Sequence, residues 1–93
     1  MDERVARLIE QGQAAAQRGN NEQARNYLQA AVDLEPNNAT AWLWFAGVLE
    51  DLEDQKYALE QVLALDPDNI RAEQGLEYVD EQLALQPQRE PSI

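Results

Sequence analysis

The chain has no cysteine and no histidine, and its only aliphatic hydroxyl groups belong to Thr40 and Ser92. A Ser-His or Cys-His catalytic pair therefore cannot form. The same absences remove disulfides and the usual nitrogen and sulfur ligands of zinc. Carboxylates remain for acid–base chemistry, but we expect the acidic run 50–54 to be a solvated turn with capping roles. We expect no enzyme activity, no metal site and no cofactor.

The sequence also lacks a long apolar run. No segment approaches the roughly 18 apolar residues that cross a bilayer, and the start MDERVARLIEQ lacks the apolar core of a signal peptide. We therefore expect a cytoplasmic protein, or one domain of a longer chain. A length of 93 residues suggests a single domain, and a hydrophobic fraction of 44% is ordinary for a folded one.

Positive charge is scarce. Seven lysine and arginine residues stand against 18 acidic residues, which gives a net charge of −11. Residues 50–81 alone hold eleven acidic residues against Lys56 and Arg71, a net charge of −9. Such a segment repels phosphates, so we expect no nucleic-acid ligand and no anionic membrane surface. It would attract a basic partner, although a solvated acidic face that keeps the protein soluble is the commoner explanation.

An internal repeat is visible in the segments YLQAAVDLEPNNATA and ALEQVLALDPDNIRA, which match at an offset of 31 residues. Each ends an apolar, helix-favouring run with an acid and a proline, Pro36 or Pro67. The residue before proline avoids helical dihedral angles, so a helix ends there. Asn38 and Asn69 then follow as predicted N-caps of the next helices.

Two further joints divide the chain. RGNNEQ (18–23) contains Gly19 as a left-handed C-cap and either Asn20 or Asn21 as an N-cap. EDLED (50–54) has the spacing of a capping box. With the apolar periodicity between the joints, these signals predict an all-α fold of antiparallel helices. The five helices are expected near 2–18, 21–34, 39–50, 52–65 and 70–84. Residues 1–85 would form the domain, and the proline-containing end 86–93 a flexible tail or linker.

This layout resembles the tetratricopeptide repeat (TPR), a 34-residue helix–turn–helix unit. With Pro36 at repeat position 32, the preferred positions of the first unit fall on Leu8, Gly12, Ala24, Leu28 and Ala31. Those of the second fall on Trp42, Phe45, Ala46, Leu49, Leu59 and Val62. The resemblance implies repeats at about 5–38 and 39–69 and a capping helix at 70–84. The second unit is three residues short in its central turn, which places Gln55 where a small residue is usual.

Both tryptophans lie in TAWLWFAGVLE (40–50), about 200° apart around a helix. The resemblance implies that Trp42 is a core residue and that Trp44 lines the concave groove. Burial of an indole is worth up to about 5 kcal/mol, so we expect Trp44 to be covered. The cover could be Tyr78 on the capping helix, a bound partner or a second copy of the chain.

The groove positions of TPR proteins, carried over to this sequence, give a candidate binding surface. Its members are Ile9, Gln13, Leu43, Trp44, Gly47, Glu50, Asp51, Gln74, Tyr78 and Glu81. They describe an apolar and aromatic floor, free space above Gly47 and Gly75, and acids at one end. The lysine, arginine and asparagine that grip a carboxylate terminus in some TPR proteins are missing, so acidic tails are not expected.

We therefore expect a non-catalytic protein–protein interaction module, an α-solenoid scaffold that binds an apolar or basic peptide or helix in its concave groove. The alternative is a structural module in which the same face forms a homodimer or docks on another domain. Two repeats are fewer than the three usually needed for a self-sufficient stack, which keeps this alternative open.

Overall fold

The computed structural model describes residues 2–86. Within them the chain forms five helices and no strand. The helices are α1 (Glu3–Gln17), α2 (Asn21–Leu34), α3 (Ala39–Val48), α4 (Leu52–Leu65) and α5 (Ile70–Leu85). The predicted all-α fold is confirmed. Of the predicted tail at 86–93, residues 87–93 lie outside the described part of the chain.

The joint between α1 and α2 is a glycine-terminated helix end. Gly19 has a φ of 80°, in the left-handed region. The amide of Asn20 donates to the carbonyl of Ala15 at 2.9 Å, and that of Gly19 to Ala16 at 3.0 Å. This pairing satisfies carbonyls that the last turn of a helix leaves free. Asn20, not Asn21, caps α2, since its side chain accepts from the amide of Gln23 at 3.1 Å.

The two Pro-Asn turns have the same construction. Asn38 accepts from the amide of Ala41 at 3.1 Å, and Asn69 accepts from the amide of Ala72 at 2.9 Å. In each turn the asparagine Nδ2 also donates to the acid three residues earlier, at 3.1 and 3.2 Å. Both predicted N-caps are confirmed, and the repeat in sequence is a repeat in local structure.

The helix predicted over 39–50 ends two residues early, at Val48. Side chains bind carbonyls that the end of the helix leaves free. Gln55 Nε2 donates to the carbonyl of Leu49 at 2.6 Å, and Arg25 Nη1 donates to that of Val48 at 3.3 Å. The glutamine at the position usually held by a small residue thus closes the shortened turn of the second helix pair.

The apolar side chains form two buried clusters. The first joins α1, α2 and α3 and contains Val5, Ile9, Ala15, Ala24, Leu28, Ala31, Val32, Ala41, Phe45 and Val48. The second joins α3, α4 and α5 and contains Ala46, Ala58, Leu59, Val62, Ala72 and Val79. Consecutive helices pack together, and α1 also touches α3. The core therefore runs through the stack from one helix pair to the next.

Trp42 connects the two clusters, because it packs against both. Its ring lies edge-on to Tyr57 at a centroid distance of 5.8 Å and tilted against Phe45 at 6.1 Å. Its Nε1 donates to the carbonyl of Pro36 at 2.7 Å. The residue is half-buried, not fully buried as expected for a core position, because the cleft between α2 and α4 leaves one side of the indole open.

Candidate protein-interaction surface

A groove of about 270 Å³ lies between α3 and α5. It exists because α5 packs against α4 and makes few direct contacts with α3, so that α4 forms the floor. The groove is lined by Leu43, Ala46 and Gly47 of α3, Gln55 and Leu59 of α4, and Arg71, Gly75, Tyr78 and Val79 of α5. Its lining is mostly apolar, and its polar residues are Gln55 and Arg71.

Three of the predicted groove residues, Leu43, Gly47 and Tyr78, line this one groove. Leu43 is half-buried, and Tyr78 is 60% exposed. A side chain placed on Gly47 would meet no atom within 4 Å, so the groove is open above this residue. Gly75 differs, because a Cβ there would lie 3.2 Å from both δ-carbons of Leu59. The free space expected above Gly75 is filled by that leucine.

The acids expected at one end of the groove have other contacts. Asp51 is the N-cap of α4, because its Oδ1 accepts from the amides of Glu53 at 2.8 Å and Asp54 at 3.1 Å. Glu50 forms an ion pair with Arg25 of α2 at 3.2 Å, yet its side chain remains 79% exposed. Glu50 is therefore available at the surface, whereas Asp51 has a structural role in the turn.

The remaining predicted residues fall into two groups. On α5, Gln74 and Glu81 are exposed beside the groove-lining residues. On the side of α1, Ile9 is only 6% exposed and belongs to the first core cluster, so its placement on the groove floor is wrong. Trp44 packs against the same cluster and is half-buried, and Gln13 is also half-buried. The side chain of Trp44 thus packs on the first core cluster and is partly exposed.

Two features of the groove did not follow from the sequence pattern alone. Leu59 and Gln55 of α4 form part of the floor, although neither was among the predicted groove residues. Arg71 places a positive charge in the lining of a groove within the most acidic segment. The other cation of that segment, Lys56, is held at 3.2 Å by Asp80, which raises the pKa of the lysine.

Residues 2–86 contain no group of three acidic side chains placed to hold a metal ion. In the same part of the chain, none of the five helices has the length and hydropathy needed to cross a bilayer.

The comparison with known families gives a match in the first helix pair. Residues 5–38, which span nearly all of α1 and the whole of α2, match the tetratricopeptide repeat family. The chain contains a tetratricopeptide repeat. The five-helix structure is consistent with two TPR units followed by a capping helix. No curated protein matches the chain. TPR domains generally mediate protein–protein interactions and are typically non-catalytic.

Proposed function

We propose that the groove between α3 and α5 binds an apolar segment of another protein that carries basic residues at one end. The observation behind this proposal is the open, apolar groove above Gly47, walled by Leu43 and Tyr78. Concave clefts with apolar walls and a few polar groups are the usual form of a peptide site. TPR domains generally use the concave side of the stack in this way.

Tyr78 is the aromatic residue of the groove lining. The residue is 60% exposed, which corresponds to about 100 Å² of a tyrosine side chain. At about 25 cal/mol per Å², its burial contributes roughly 2–3 kcal/mol. Tyrosine is also enriched among residues that dominate binding energy at interfaces. A ligand with one apolar anchor placed between Tyr78 and Leu43 would use this area.

The charged residues at the two ends of the groove predict the orientation of the ligand. Because the short turns make neighbouring helices antiparallel, α3 and α5 run the same way. Glu50 follows the end of α3 and Glu81 lies near the end of α5, so both acids belong to one end of the groove. Arg71 lies at the start of α5, at the other end. We infer that basic residues of the ligand lie toward Glu50 and Glu81.

Trp44 and Gln13 extend the proposed surface toward α1, because each is half-buried and keeps part of its side chain at the surface. The alternative role, in which this groove joins two copies face to face, is disfavoured by charge. It would bring together two segments of net charge −9, and like charges across an interface oppose association.

Selection from a random peptide library on the immobilised protein tests the proposal. We expect the enriched peptides to share an apolar or aromatic anchor and to carry lysine or arginine on one side of it. Gly47→Leu places a side chain in the open groove and is expected to weaken binding at least tenfold, or by about 1.4 kcal/mol. Glu81→Lys is expected to weaken binding of the basic peptides severalfold.

Two control variants accompany these substitutions. One makes a smaller change at Gly47, and the other makes the same charge change outside the groove. Gly47→Ala adds one methyl group and should leave affinity within a factor of about two. Glu22→Lys makes the same charge change as Glu81→Lys on the exposed start of α2, outside the groove. Enriched peptides that are acidic, or that bind Gly47→Leu as well as the original protein, would contradict the proposal.

A further inference from the structure

Two apolar clefts lie at opposite ends of the helix stack, and their charges have opposite signs. The N-terminal cleft, between α1 and α2, has a volume of about 290 Å³ and is lined by Arg4, Arg7, Leu8, Gln11 and Leu34. The C-terminal cleft, between α4 and α5, has a volume of about 340 Å³ and is lined by Leu63, Glu73, Leu76, Glu77 and Asp80. The first contains no acid and the second no base.

The two clefts lie on the first two and the last two of the described helices. In the middle of the molecule, α3 packs between α2 and α4. The described residues include no helix before α1 or after α5 that could flank the end helices in this way. As a result Leu34 is 46% exposed, and Leu8 of the same cleft is only half-buried.

We propose that the N-terminal cleft of one molecule packs on the C-terminal cleft of a second copy, head to tail. The apolar contact would join Leu8 and Leu34 of one molecule to Leu63 and Leu76 of the next. In a helical stack, each unit buries its open face against its neighbour, so a second copy supplies the contact that both end faces lack.

The charges that remain free within the chain fit this arrangement. Arg4 is bound by Asp2 at 2.9 Å, and Asp80 by Lys56 at 3.2 Å. Within residues 2–86, Arg7 of the N-terminal cleft and Glu77 of the C-terminal cleft form no ion pair. Joining the two clefts brings these unpaired charges of opposite sign together.

The same charges disfavour a two-fold pair made through one cleft alone. Such an interface places that cleft against its own copy, which sets Arg7 against Arg7 or Glu77 against Glu77. Like charges at such a contact oppose association. A head-to-tail contact does not close after two molecules, so it adds further copies as the concentration rises unless the rotation happens to form a ring.

Sedimentation velocity over a concentration series, about 10 µM to 1 mM at 0.15 M salt, tests this assembly. That ionic strength limits the long-range repulsion between copies of net charge −11 but leaves close contacts in place. We expect an average mass that rises past two chains. Arg7→Glu and Glu77→Arg, both on exposed residues, are each expected to weaken association at least tenfold.

The decisive variant combines both reversals. Arg7→Glu with Glu77→Arg restores opposite charges across a head-to-tail contact and is expected to recover most of the association. An equimolar mixture of the two single variants should also assemble. Arg18→Glu, with the same charge change outside both clefts, and Gly47→Leu, which blocks only the groove, should assemble like the original protein.

The proposal is overturned if the original protein stays monomeric at the highest concentration or stops at a dimer. It is also overturned if the single reversals have no effect or the double reversal fails to restore assembly. Since Gly47→Leu is expected to affect peptide binding but not sedimentation, failure of the groove proposal and failure of the assembly proposal give different results.

Discussion

At the scale of single residues, two glycines in the helices have opposite surroundings. A Cβ on Gly12 of α1 would lie 2.6 Å from the Cγ of Leu28, a fully buried residue that has no space to move into. A Cβ on Gly47 of α3 would meet no atom within 4 Å. Gly12 therefore permits close packing of α1 on α2, whereas Gly47 leaves the groove open.

The same substitution should consequently have opposite effects at the two sites. Gly12→Ala is expected to destabilise the fold by about 1–3 kcal/mol through overpacking, despite the better helix propensity of alanine. Gly47→Ala is expected to stabilise it by up to about 1 kcal/mol, less if the nearby helix end frays. Thermal unfolding followed by circular dichroism measures both. A stabilised Gly12→Ala protein would show that α1 and α2 can separate without loss.

The sequence did not determine how deeply each of the two tryptophans is buried. Trp42, expected to be buried, bridges both clusters but keeps one side open, and Trp44 is half-buried on the first cluster. Helical geometry was enough to predict that they point in different directions. How far each is covered depends on the spacing of α2, α4 and α1, which side-chain packing fixes.

At the scale of the helices, the turn between α2 and α3 also holds the start of α1. Glu35 Oε2 accepts from the amide of Asp2 at 2.8 Å, while its Oε1 accepts from the side chain of Asn38 at 3.1 Å. These hydrogen bonds, first that from the Asp2 amide, lower the pKa of Glu35 below its usual value. The ionised carboxylate thus joins two helix starts, at Asp2 and Asn38, that are distant in sequence.

This arrangement predicts a pH dependence. A carboxyl whose pKa is lower in the folded than in the unfolded state stabilises the fold above its unfolded pKa. That contribution is lost as the pH falls through the lower, folded-state value. Glu35→Gln, which keeps only one acceptor oxygen, should melt a few degrees below the original protein at pH 7. The difference between the two melting temperatures should begin to shrink as the pH falls below about 4, near the ordinary pKa of a glutamate, and should vanish below the lower folded-state pKa.

A matched control is Glu22→Gln. Glu22 is exposed near the start of α2, and its side chain forms no hydrogen bond to another helix within residues 2–86. This substitution should shift the melting temperature by less than Glu35→Gln at pH 7. A difference between Glu35→Gln and the original protein that stays constant down to pH 3 would show that the carboxylate charge does not contribute.

The helix bounds were the part of the fold best predicted from sequence. Gly19, Asn38 and Asn69 each act locally, through a left-handed dihedral angle or an amide three residues away, so their positions in the sequence are sufficient. The end of α3 was predicted two residues too late, and the carbonyls of Val48 and Leu49 accept hydrogen bonds from Arg25 and Gln55. Those side chains come from other helices and leave no local signal.

At the scale of the whole molecule, we expect the repulsion among acidic residues to exceed the attraction within the ion pairs. The net charge is −11, and the structure holds three exposed ion pairs within residues 2–86. An exposed pair is worth about 0–1 kcal/mol, whereas the repulsion among the remaining acids acts on the entire domain. Screening should therefore relieve more repulsion than it removes attraction.

We expect the melting temperature to rise by several degrees between about 10 mM and 0.5 M sodium chloride, at a protein concentration low enough to prevent association. Choline chloride should give the same rise if charge screening is the cause. A variant with Glu53→Gln and Glu60→Gln, two exposed acids of α4, should show a smaller rise. A melting temperature that falls with salt would mean that the ion pairs dominate.

The sequence by itself determined the five helices, their caps and the repeat, because proline, glycine, asparagine and apolar spacing act over a few residues. It also determined the absence of histidine and cysteine chemistry and the uneven charge. Only the tertiary structure decided that Ile9 is buried, that Leu59 fills the space above Gly75 and that the clefts at the two ends differ in charge. These properties depend on the separation and rotation of whole helices, which many weak packing contacts set together.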